Sequence, residues 1–177
     1  MAYPKITVNT GLAQEVISSD TLPIPSPSLP VLSGTTTATT ADKLVDVGAD
    51  FSNVSIGDIV YNTTDNTSAS VVAIDSSTIL EVSADIFTSP EDYKIFLGGP
   101  NGSSRIDSSE GCLLYVGSSE ATMDVAKSFV DVKVKTVAGS VVTFSNFPVG
   151  EYLPVQVLQL YATGTDAAAD NSCIAIW

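Results

Sequence analysis

Histidine is absent from this 177-residue chain, and the absence removes the usual general base, the Ser-His dyad and the commonest zinc ligand together. Hydrolytic triads go with it. Positive charge is scarce as well: seven Lys and Arg stand against twenty Asp and Glu, a formal charge of -13 that repels phosphate backbones, and no basic cluster offsets it. The expectation is no nucleic-acid partner. Long apolar runs are missing, the longest being strand-sized against the roughly 20 residues of a membrane helix. Met1-Ala-Tyr-Pro-Lys5 lacks the charged and apolar regions of a signal peptide, so no membrane partner and synthesis in a cytosol are expected. Cysteine is limited to Cys112 and Cys173, which in a reducing compartment read as small apolar side chains, a disulfide being the lesser alternative.

The remaining chemistry is thin. Ser is abundant and six lysines are scattered, so any Ser-Lys adjacency has the character of chance. Twenty acids make some carboxylate pair inevitable, but a glycan-cleaving enzyme also needs a long groove and stacking aromatics, and the chain holds one Trp. Gly98, Gly99 and Gly102 approach a phosphate-cradling loop, yet Pro100 interrupts them and no Walker or dinucleotide pattern follows. Asp107-Ser-Ser-Glu110 and Asn62-Thr-Thr-Asp-Asn66 are oxygen-rich but lack the spacing of a calcium loop, and read as solvated turns. Four Asn-x-Ser/Thr sequons, beginning at Asn53, Asn62, Asn66 and Asn101, follow from composition alone. No catalytic residue, metal or cofactor is expected.

What is present suits packed sheets: 44% hydrophobic and 15% charged residues, rich in Val, Ile and Thr. The organisation reads as all-β, an extended Pro-rich N-terminal arm over 1–33 followed by two small β-barrel or β-sandwich modules over 34–99 and 100–177. In the arm, Leu22-Pro-Ile-Pro-Ser-Pro-Ser-Leu-Pro30 fixes φ and deletes amide donors at close intervals. Its apolar content predicts that Leu22, Pro23, Ile24, Pro25, Pro27, Leu29 and Pro30 form an interface with the chain's own domain, a neighbouring subunit or a shell surface. Removing residues 1–32 is expected to leave both modules folded. Ser33-Gly-Thr-Thr-Thr-Ala-Thr-Thr40 reads as a polar linker, and Gly98 to Ser104 as a second.

Five strands are predicted in the first module: Lys43–Asp46, Asp58–Tyr61, Ala69–Ile74, Thr78–Val82 and Tyr93–Leu97. Turn residues separate them. The second is predicted to hold Cys112–Val116, Phe129–Val137, Val141–Asn146, Val155–Tyr161 and Ser172–Trp177, with Glu120 to Lys127 able to form two helical turns. Val132 and Val134 alternate with Lys133 and Lys135, so one face is buried and one wet. Cys112 to Val116 is apolar on both faces, which calls for a second sheet, a closed barrel or a partner subunit over it. Cys173, Ala175 and Trp177 share one strand face, predicting Trp177 as a buried anchor.

Pro154-Val-Gln-Val157, Ala162-Thr-Gly-Thr165 and Ile174-Ala-Ile-Trp177, in that order, resemble the C-terminal domain of spike-base and related virion proteins of tailed phages and phage-like gene transfer particles. The likeness covers about the last third of the chain, and the Ser118 to Phe129 insertion departs from it. The order Asp42-Lys-Leu-Val-Asp46, Gly57-Asp-Ile-Val-Tyr61 and Ala84-Asp-Ile-Phe87 is similar to a module of assorted phage virion proteins. The resemblance implies a non-enzymatic virion structural protein on the outer surface of the head: a cement, decoration or spike-base subunit, a homotrimer meeting the major capsid protein or other virion subunits. A tail, neck or fibre component and a glycan-binding receptor module are the alternatives.

Overall fold

The structure, a computed structural model, describes residues 13–25, 32–88, 90–97, 111–118, 128–166, 169 and 172–177. In chain order its strands are β1 (Ala13–Glu15), β2 (Leu32–Thr35), β3 (Ala38–Thr40), β4 (Lys43–Val45), β5 (Ile59–Asn62), β6 (Thr67–Ser76), β7 (Ile79–Val82), β8 (Asp92–Phe96), β9 (Cys112–Tyr115), β10 (Phe129–Thr136), β11 (Val141–Pro148), β12 (Tyr152–Leu160) and β13 (Ile174–Ile176). The chain is all-β, as its composition predicts. Every pairing is antiparallel, in one sheet ordered β2-β8-β5-β6-β7-β4-β3 and another ordered β1-β13-β9-β12-β10-β11.

The first sheet curls because of one strand. β6 pairs with β5 through Thr67–Ser70 and with β7 through Val71–Ser76, and the latter register breaks twice. Such bulges bend a strand and increase its twist. The half-barrel closes around Leu44, Phe51, Val60, Val71, Leu80, Phe87, Tyr93 and Ile95.

All five strands predicted here are present, but the Ser33–Thr40 linker is corrected. It supplies edge strands β2, on β8, and β3, on β4. The segment lacks apolar alternation because edge strands expose most side chains, while its threonines suit extended backbone. Gly34 is required in β2: a Cβ there would lie 2.6 Å from Tyr93 Oη, which donates a 2.8 Å hydrogen bond to Asp46.

In the second sheet Val130, Val132 and Val134 are buried, while Lys133 and Lys135 face outward as predicted. The described part of the arm lies on the chain's own second sheet. β1 lies on β13, Val16 donates its N–H to Cys173 O, and Ser19 and Ile24 donate theirs to Leu160 and Leu158 on β12. The described arm thus occupies the stretch of β12 edge that β9 leaves free beyond Cys112. Pro23 and Pro25 delete two donors, and the one left between them, on Ile24, is the one used.

Side chains of this segment point two ways. Val16 and Ile24 enter the second module's core beside Leu114, Val132 and Leu153, while Ile17 and Leu22 pack on Ile59, Tyr61 and Phe96 of the first. It is a wedge joining the modules. Pro27, Leu29 and Pro30, the Gly98–Ser104 linker and the Glu120–Lys127 segment lie outside the described residues.

Candidate functional site

The second sheet has one face in the core and one outside. Cross-strand register lines up Glu15, Ile174, Tyr115 and Tyr152 in one outward row, and Ala13, Ile176, Leu113 and Gln156 in the next. Tyr152 is 48% exposed and Ile174 37%, so this apolar band meets solvent. The Tyr115 and Tyr152 rings stand edge to face, centroids 5.4 Å apart at 62°, a geometry that aromatic pairs favour. Beyond β12 the same face turns basic, with Lys133 and Lys135 on β10. Lys133 Nζ lies 5.0 Å from the Tyr161 ring centroid, a cation–π contact.

This surface exists because β9 and β13 are apolar on both faces while the core side chains gather on only one of them. The both-faced pattern of Cys112–Val116 was its one sequence signal. Nothing in the sequence marked β1 as the sheet's edge. At that edge Ala13, Gln14, Glu15, Ser172 and Ile174 line an open cavity of about 320 Å³. Gln14 Nε2 is buried there without a hydrogen-bond partner.

The predicted interface residues separate. Leu22 sits against the first module and Ile24 in the second module's core, Pro25 is buried and Pro23 exposed. Trp177 is half-buried and packs against the second core. Register places Cys112 opposite Trp177 and Cys173 opposite Val116, four ladder positions and about 13 Å apart, beyond disulfide reach. Both cysteines are buried and outside any disulfide, and burial pushes the Cys112 thiol up to about 12. Such a thiol is packing, not nucleophile.

The first module holds a buried polar knot at the predicted Asn62–Asn66 turn. Asn62 Nδ2 donates to Ile86 O at 2.7 Å and Glu91 Oε2 at 2.9 Å, while its Oδ1 accepts from the N–H groups of Thr64 and Asp65. Burial pushes the Glu91 carboxyl up, but hydrogen bonds from the Thr88 N–H, Asp65 and Asn62 outweigh it and hold Glu91 below its ordinary value. The hydrogen bond Asp65 makes to Glu91 pushes Asp65 up, with desolvation and the Glu91 charge adding to it. The contact ties the Asp65 turn to Glu91. Among the described residues no group of three or more His, Cys, Asp or Glu is placed to hold a metal ion. Asp107 and Glu110 lie outside them.

No protein-family model matches this chain, and neither does any curated protein or solved structure.

Proposed function

We propose that this is a non-enzymatic structural protein of a tailed-phage virion, a cement, decoration or spike-base subunit on the outer surface of the head. The observation that carries the reading is the outward Ile174, Tyr115, Tyr152, Leu113 and Ile176 band on the second sheet. A chain of net charge -13 that keeps an outward apolar band has a surface to lay on another protein. The wedge between the modules supports it further, because it joins two small β units into one body able to hold that face at a fixed angle. The partners are the major capsid protein or neighbouring virion subunits, and shell geometry favours a trimer at threefold positions.

Purified particles analysed by quantitative mass spectrometry test this. A cement subunit is present in copy numbers near that of the shell protein, a spike base in far fewer, and absence from intact particles refutes the assignment. Tyr115 and Tyr152 give a second reading some support, since exposed aromatic rings also stack on sugars. Glycan-array binding abolished by Tyr152→Ala would favour that module instead.

A further inference from the structure

Both edges of the second sheet carry unpaired backbone. Lys133 donates its N–H to Thr165 Oγ1 and accepts from the Tyr161 N–H, both on the β12 side. It therefore forms a non-hydrogen-bonded pair with Thr143, whose own N–H and C=O point off the sheet. At the opposite edge Val16 bonds Cys173, so by the same alternation Ala13 and Glu15 direct their backbone groups outward from β1. No described residue pairs with either edge. Edge strands are ordinarily guarded by charge, proline or shortness. Val141–Pro148 has eight residues, none charged, and its one proline comes last. Val141 is 51% exposed and Val142 38%.

We propose that β11 of one copy pairs with β1 of the next, head to tail, so that copies of this chain close into a ring through a continuous antiparallel sheet. The inference deepens the trimeric structural reading above and rests on it. Strand direction permits the join: six antiparallel strands put β1 and β11 in opposite senses, so rotation about an axis along the strands brings β11 against the neighbour's β1 antiparallel. Charge selects it over the symmetric alternatives. On the outward face Glu15 stands at the β1 edge, while Lys133 and Lys135 stand one strand in from the β11 edge. Joining β11 to β11 would bring lysines toward lysines, and β1 to β1 would set Glu15 against Glu15. Only the head-to-tail join brings Glu15 toward the lysines, two strand spacings or about 10 Å away. The 320 Å³ cavity opens beside Glu15, where the outward-facing Val141 can enter.

The test is native mass spectrometry of the full chain with Glu15→Lys, Lys135→Glu and the combined swap, at low and high salt. The wild-type chain should be trimeric, each single reversal should weaken association by about two- to fivefold, and the double swap should restore it. A monomer, a dimer, single reversals without effect, or a double swap no better than the singles would overturn the proposal. Circular dichroism on each variant establishes that these surface changes leave the sheets folded. Particle content reports separately: a trimer absent from virions sinks the functional reading alone, and virion incorporation indifferent to the single reversals sinks this contact alone.

Discussion

Ile24→Ala puts the wedge to its sharpest trial. Ile24 is 8% exposed, lies among the second module's core side chains, and its N–H bonds Leu158 O at 2.8 Å. Truncation keeps the backbone bond and deletes three methyl or methylene groups from a filled site. Such changes cost about 2 to 5 kcal/mol. The position borders an edge that can partly close over the gap, so the lower end, about 2 to 3 kcal/mol, is expected, a large share of the stability of so small a unit. Trp177 is the only tryptophan and packs on the same core, so urea unfolding followed by its emission reads that module. Ile17→Ala is the control, because Ile17 faces Ile59, Tyr61 and Phe96 of the first module. It should loosen the junction while shifting the tryptophan midpoint less. An Ile24→Ala midpoint within about 0.5 kcal/mol of wild type, the ordinary range for surface changes, would show the segment to be a detachable arm after all.

Gly34→Ala should destabilise the first module by about 1 to 3 kcal/mol in thermal or urea melts, since the added methyl displaces Tyr93 Oη from Asp46. An unchanged melt would mean that the edge strand shifts freely. The Asp65–Glu91 pair predicts a pH effect with a definite sign. Asp65, raised above its ordinary 3.8, contributes stability that is full below that value and fades as pH climbs through its folded pKa. Glu91, lowered below 4.5, contributes stability that is present above that value and fades as pH falls through its folded pKa. Asp65→Asn keeps a donor toward Glu91 at every pH, so its stability relative to wild type should rise from acid to neutral, and a flat difference would refute the Asp65–Glu91 contact. Finally, Cys112 should resist alkylation in the native state and react on unfolding at the unfolding rate; rapid native labelling would contradict its burial.

Periodicity alone located most strands, because a half-buried strand must alternate: Val132 and Val134 against Lys133 and Lys135 admit one arrangement, with the valines inside. Turn chemistry was equally local. Asn66 at φ 55 and Gly139 at φ 82 sit where side-chain type and backbone freedom require a reversal. The absence of histidine and the charge of -13 bounded the chemistry before any fold was known.

Three features depended on contacts between residues far apart in the chain, which no local pattern encodes. Thr-rich Ser33–Thr40 becomes strand only because β8 and β4 supply its hydrogen bonds. The Pro-x-Pro stretch becomes a wedge only because β9 stops at Cys112 and leaves β12 edge for Ser19 and Ile24 to occupy. A strand apolar on both faces announces that both want cover. Which face receives it is decided by where the tertiary fold gathers the core, and that choice left Tyr115, Tyr152 and Ile174 facing outward.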